Sequence, residues 1–201
     1  MNGPSTTEEA YSAEAEALFT QMGTDGTEPD AERKTLIDAM IVGLKDDGVW
    51  DLLDFLYVHA AHEEEAAKIN WINPGTNDIT VAGTPTFIID DGYQGNGTDS
   101  VLDTNFACKS GKYIQNDGTL GLWVYATSGT GIAIGVAGAA NAWLQPRAAS
   151  AAQCRVNVGT STTFSGTISA PGSIIATRRG SAEEEGYLDG VSDVTSVNTS
   201  T

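Results

Sequence analysis

The sequence is short of basic residues, cysteine, histidine and long apolar runs. Lysine and arginine number 10 against 27 acidic residues, a formal net charge of −17. A field of that sign repels phosphate backbones and anionic lipid, so neither nucleic acid nor a membrane surface is expected as a partner. No window reaches about 18 consecutive apolar residues, so no membrane-spanning helix is expected. No basic stretch followed by an apolar run opens the chain, so no signal peptide is read. Cys108 and Cys154 are the only cysteines. They are too few for a disulfide framework, and two isolated thiols or one bridge both stay open. Gly-x-Ser-x-Gly is missing, and Gly129-Thr130-Gly131 and Gly135-x-x-Gly138 lack the lysine of a phosphate loop. Ser128, Ser150 and Ser169 have no histidine near them, and nothing sets Asp54, Glu63 and Asp103 face to face as a hydrolytic carboxylate pair. No catalytic residue is assigned, and the chain is not read as an enzyme.

What is present divides the chain in two. Residues 1–70 hold 16 acidic and 4 basic side chains and are rich in Glu, Ala and Leu, whereas residues 71–201 hold 11 and 6 and are rich in Gly, Thr, Ser, Val and Ile. The expected organisation is a flexible N-terminus over 1–7, an acidic helical segment over 8–72 and a β domain over 73–201. Tyr11, Ala15, Leu18, Phe19 and Met22 form one apolar stripe and predict a helix over Glu8–Met22. Thr27 with Asp30 resembles a capping box, with Pro29 in the first turn, opening a helix that carries Ile37, Met40, Ile41 and Leu44. A third helix is expected from Val49 to Tyr57, running on toward Ile69.

Beyond Ile79 the helical period is gone. Short runs rich in Val, Ile, Thr and aromatics alternate with turn sequences such as Asp90-Asp91-Gly92, Asn116-Asp117-Gly118 and Asp189-Gly190. Ten strands are expected, at 79–81, 86–89, 101–102, 121–126, 131–136, 142–145, 153–158, 162–168, 173–178 and 185–188. No crossover-length helix lies between them, so the sheet is expected to be antiparallel. The fold class is α+β: a short N-terminal helical segment followed by an antiparallel β-sandwich or jelly roll. In the 121–126 strand Leu122, Val124 and Ala126 alternate with Gly121, Trp123 and Tyr125, so one face suits a core and the other carries two aromatics suited to cover a second layer or a partner subunit.

Candidate site residues follow from residue type and spacing. Asp90, Asp91, Asp99 and Asp103 surround a Gly-rich loop and are possible calcium ligands, with Asx-turn chemistry as the alternative. His59, His62 and Glu63 stand at i, i+3, i+4 on the expected third helix; they are read as a solvated helix end, and no metal site is expected there. Tyr93, Trp123, Tyr125 and Tyr187 are candidates for stacking on sugar rings. Arg178-Arg179, close to Glu183-Glu184-Glu185, reads as a hairpin salt link or a subunit contact.

Three blocks carry a resemblance. The first is Ala31-Glu32-Arg33-Lys34-Thr35-Leu36-Ile37-Asp38 with Gly48-Val49-Trp50, continuing through Ala60-Ala61-His62 to Asn70-Trp71. The second is Pro85-Thr86-Phe87, Asp91-Gly92-Tyr93, Gly95-Asn96-Gly97 and Leu102-Asp103-Thr104-Asn105-Phe106. The third is Leu120-Gly121-Leu122-Trp123-Val124 with Arg178-Arg179-Gly180 and Gly186-Tyr187-Leu188-Asp189-Gly190. In that order they resemble a family of tailed-bacteriophage and prophage virion proteins, tail or head-fibre and decoration components. The family joins a helical lead to a lectin-like, laminin-G-like β-sandwich. The resemblance implies a structural virion protein made in the bacterial cytoplasm and serving assembly or surface display; the alternative is a carbohydrate-binding module for host attachment. It implies other virion proteins as partners and a homo-oligomer, a trimer being favoured, with Trp50, Tyr57, Trp71 and Trp143 as interface candidates. No cofactor is expected beyond possible calcium. Family members continue past the Tyr-Leu-Asp-Gly hairpin, so the sandwich is expected to be small, or closed by another subunit or by further chain.

Overall fold

The computed structural model describes residues 10–107, 111–125, 133–136, 142–148, 151–168 and 171–200. The readings placed on the N-terminus over 1–7 and on Cys108, Ser128, Gly129-Thr130-Gly131, Gly138, Ser150 and Ser169 lie outside the described residues. The chain divides into two compact units, Met1–Asn105 and Phe106–Thr201. The first unit takes in the strands between residues 80 and 103, which composition alone groups with the β portion. The charge is divided along the same line. Through Asn105 there are 21 acidic and 4 basic side chains, and beyond it 6 of each, so the whole formal charge of −17 belongs to the first unit and the second is neutral.

In the first unit α1 (Ala13–Asp25) is capped by Ser12, whose side chain accepts from Ala15 N, and α2 (Ala31–Asp46) by Asp30, which accepts from Arg33 N. The cap is therefore Asp30 and not Thr27. Thr27 belongs to a loop tied elsewhere: its N–H donates to the Glu63 carboxylate and its carbonyl accepts from His62 Nε2 at 2.8 Å. Ala15, Leu18, Phe19 and Met22, at i, i+3, i+4, i+7 on α1, pack with Ile37 and Ile41 of α2 and with Trp50, Ile69 and Trp71. Each large side chain removed from water here contributes about 1.5–3 kcal/mol.

The expected third helix does not form. Only two 3-10 turns occur, Trp50–Leu52 and Ala66–Lys68. Between them the chain reads with a period of two: the rings of Phe55, Tyr57 and His59 stack in succession at 5.5 and 6.1 Å, while Leu56 and Val58 pack on the core. Asn70, fully buried, satisfies the backbone that a helix would have satisfied. Its Oδ1 accepts from Leu56 N and Ile72 N, its Nδ2 donates to Thr76 O, and its own N–H donates to Asp78. Two short antiparallel ladders complete the unit, β1 (Thr80–Ala82) with β4 (Val101–Asp103) and β2 (Thr86–Ile88) with β3 (Gly92–Gln94).

The second unit holds β5 (Gly118–Val124), β6 (Ile134–Val136), β7 (Ala142–Ala148), β8 (Ala151–Arg155), β9 (Thr162–Thr163), β10 (Gly172–Gly180), β11 (Glu183–Leu188) and β12 (Val191–Ser196). They make two four-stranded sheets, in the orders β12-β11-β10-β5 and β6-β7-β8-β9, with every pairing antiparallel. The two sheets interact in a sandwich-like arrangement, and among the described residues neither is closed or curled. β3 and β12 were not anticipated; β12 adds an edge strand after the Asp189-Gly190 turn. Gly186 of β11 has no room for a side chain, because a Cβ there would lie 2.5 Å from the Phe164 ring.

The sheets are joined by a buried polar clip. Arg178 and Glu184 are cross-strand partners on the inner face, exposed at 0% and 1%. Arg178, read as part of a hairpin salt link or a subunit contact, is instead enclosed within the unit. Its Nε donates to Val156 O at 2.6 Å, Nη1 to Gly180 O and Nη2 to Asn198 O, both at 3.1 Å. Glu184 accepts from Val156 N at 2.8 Å and Thr162 Oγ1 at 2.6 Å, and the free, buried Cys154 thiol lies 3.9 Å away. Burial raises the Glu184 carboxyl above its usual value against the opposing pull of Thr162, Val156 and Arg178; burial and the Glu184 charge raise the Cys154 thiol. Because the neighbours of Glu184 are donors, the carboxylate is the form that the site fits.

Candidate functional site

The site is built on the outer face of the β12-β11-β10-β5 sheet. Side chains alternate across a strand, so when Leu120, Leu122 and Val124 turn inward, Thr119, Gly121 and Trp123 turn outward. The register extends that face across the sheet: Trp123 opposes Ser173, Gly121 opposes Ile175, Ile175 opposes Tyr187, and Tyr187 opposes Ser192. Trp123 is 67% exposed, and Tyr125, just past the end of β5, is 64% exposed. Gly121 contributes no side chain between Trp123 and Thr119, and the Ile175 side chain of β10 stands beside it, its Cγ1 3.6 Å from where a Gly121 Cβ would lie. Trp123 and Tyr187 are two strands and two residues apart, roughly 12 Å from Cα to Cα by sheet geometry.

Polar groups border this aromatic face. The Glu185 carboxylate accepts from Ser192 Oγ at 2.8 Å. Interaction with the neighbouring Tyr187 and with Ser192 holds its carboxyl below the usual range, while the nearby Glu185 raises the Tyr187 phenol. Arg179 lies at a β-bulge in β10 where the register shifts between Arg178 and Gly180. Thr119 and Thr177 share a hydroxyl hydrogen bond of 2.8 Å on the same face. The arrangement offers π-faces with hydroxyl, carboxylate and guanidinium groups around them, which suits stacking on the C–H face of a ring and hydrogen bonding to its hydroxyls.

Other candidates are placed differently. Tyr93 lies in the first unit, half-buried against Phe87 and His59, with ring centroids at 5.3 and 5.6 Å. Trp50, Trp71 and Trp143 are buried within their own units and Tyr57 is half-buried, its hydroxyl donating to Asn77 O. The three tryptophans are thus withdrawn from the surface of the single chain, while Tyr57 stays half-exposed. The four aspartates are not gathered. Asp90 is paired with Arg33 at 2.6 Å, Asp99 accepts from Asn96 Nδ2 at 2.7 Å, and Asp103 accepts from Asn105 N at 2.8 Å, while Asp91 sits in the turn between β2 and β3. Asn96 and Asn105 bring Asx-turn chemistry to these loops. His59 and His62 do not share a helix face, since no helix forms there: His59 Nδ1 donates to Ala67 O at 2.9 Å and His62 Nε2 faces Thr27 O. Among the described residues no group of three or more His, Cys, Asp or Glu side chains is placed to hold a metal ion, and no helix is long and apolar enough to cross a membrane. A cavity of about 50 Å³ lined by Met22, Ile37, Val58 and Trp71 is far below ligand size.

No protein-family model, curated protein or solved structure matches the chain.

His59 provides a pH test of the first unit. Burial lowers its folded-state pKa from the ordinary 6.5, so the fold favours the neutral ring. The contribution is present above pH ~6.5 and is lost as pH falls through the folded value, because the unfolded chain then binds the extra proton. A His59→Gln variant keeps a donor for Ala67 O and removes the titration. Urea midpoints measured from pH 7.5 to 5 are expected to fall more steeply for the wild type than for the variant.

Proposed function

We propose that the protein is a structural component of a bacteriophage virion that serves assembly or surface display, with the second unit as a lectin-like sandwich. The observation that carries this reading is the solvent exposure of Trp123 and Tyr125 on a strand whose opposite face is core. Large aromatics left in water on a well-packed sheet mark a surface kept for recognition. The partition of charge supports it too: an acidic unit and a neutral unit suit two different contacts. Quantitative mass spectrometry of purified particles tests the reading. The chain is expected at a fixed copy number per particle, and its confinement to the soluble fraction of infected cells would contradict the proposal.

A second reading is favoured by the neighbours of Trp123. The surface that carries Trp123, Ile175 and Tyr187, with Glu185, Ser192 and Arg179 at its edge, suits a neutral glycan. Trp123 is the one exposed tryptophan of four, the others being buried, so intrinsic fluorescence reports on this face selectively. Titration with neutral host-surface polysaccharides is expected to shift that emission, and a flat response across neutral glycans counts against the reading.

A further inference from the structure

The first unit carries an apolar flank that its own core does not use. On α2, Leu36, Ala39, Met40 and Gly43 fall at i, i+3, i+4, i+7, the spacing of a single helix stripe. Ile37 and Ile41 turn into the core, whereas Leu36 is 66% and Met40 42% exposed. A Cβ on Gly43 would meet nothing within 4 Å, so the stripe is open and its small residues let another backbone approach closely.

Electrostatics decide the occupant. By helical geometry Glu32 lies one turn before Leu36 on this flank, and Asp47, the C-cap, one turn after Gly43. The basic side chains of the unit are already engaged: Arg33 with Asp90, Lys34 with Glu28, Lys45 with Glu14 and Lys68 with Glu65. The rim of the stripe is therefore acidic, within a unit of formal charge −17. A second copy fits badly in either direction, because antiparallel helices set Glu32 against Asp47 and parallel ones set each acid against itself. We propose that this flank of α2 docks a basic amphipathic helix of a protein partner, with apolar residues along one stripe and Lys or Arg at both ends. The docking is independent of what the outer sheet face of the second unit binds.

The probe is a synthetic helical peptide with Leu at i, i+3, i+4, i+7 and Lys at its ends, compared with a scrambled peptide of identical composition. The full chain is expected to bind the striped peptide about tenfold or more tightly over the scramble, the fold-change of burying one or two apolar side chains. The L36S/M40S double variant is expected to lose that preference with only a small fall in the urea midpoint, since Leu36 is largely and Met40 partly in water. Equal affinity for the two peptides, or a preference that L36S/M40S leaves intact, overturns the proposal. So does a self-association of the wild-type chain that L36S/M40S abolishes, which would make a second copy the occupant.

Discussion

Replacing Arg178 by alanine is expected to destabilise the second unit by about 3–5 kcal/mol, enough to erase most of the stability of an ordinary domain. The guanidinium is wholly buried and donates to three backbone carbonyls, on Val156, Gly180 and Asn198. Truncation leaves the buried Val156 carbonyl without its donor and strips one from the half-buried Gly180 and Asn198 carbonyls, and it removes the positive charge that offsets Glu184. The carboxyl, already raised by burial, is then driven further toward its neutral form. Arg178→Lys keeps the charge but a single ammonium does not reproduce the fork, so it is expected to recover only part of the loss. Because Arg178 and Glu184 act together, the R178A/E184A double variant is expected to lose less than the sum of the single losses, by about 1 kcal/mol or more. Urea unfolding followed by near-UV circular dichroism measures all three. The first unit has its own core of α1, α2, Trp50 and Trp71, so its transition is expected to persist in R178A.

The second large effect is functional. If the outer sheet face binds a neutral glycan, Trp123→Ala removes the principal stacking surface and weakens binding by about 1.5–3 kcal/mol, roughly ten- to 150-fold in Kd. The same change leaves the urea midpoint nearly where it was, because the indole is two-thirds in water. Separation of binding from stability distinguishes a recognition residue from a packing one. Isothermal titration with the glycan that shifts the native emission reads both the lost affinity and the remaining stoichiometry. An unchanged Kd for Trp123→Ala rules the indole out as a contact.

Sequence periodicity revealed much of this architecture, and its failures have physical causes. The stripes of α1 and α2 stand out because Leu18, Phe19, Met22, Ile37 and Ile41 recur at helical spacing. The antiparallel sheets follow from the absence of crossover-length helices between short β-rich runs. The two faces of β5 were legible as well, since Leu122 and Val124 alternate with Trp123, although the aromatic face suggested a covered layer and not an exposed one. The run from Val49 to Val58 misled because it is apolar at almost every position, and such a run fits a helix or an extended segment equally well. What decides is Asn70, fourteen residues from Leu56, whose side chain satisfies the extended backbone; local spacing carries no trace of that bond. The tryptophans read as interface candidates were misplaced for a related reason. An indole buried within a chain and one buried between chains have the same composition signal.

Arg178 was missed by default, since charged residues are almost always exposed. The signal was nevertheless present. Ile174 and Ala176 alternate inward along β10, and the same parity carries Arg178 into the core. Glu184, opposite it, follows from the pairing of β10 with β11. The hidden charge partition has a different origin. It became visible only when the boundary between units was placed at Asn105, which transfers Asp78, Asp90, Asp91, Asp99 and Asp103 to the acidic unit.

The recognition role of the outer sheet face is tested most directly by acrylamide quenching of tryptophan emission, with and without a bound neutral glycan. Trp50, Trp71 and Trp143 are shielded and Trp123 is open, so the free protein should show one accessible fluorophore that the glycan protects. Saturable binding that leaves the quenching of Trp123 unaltered would place the ligand elsewhere and contradict the assignment of this face.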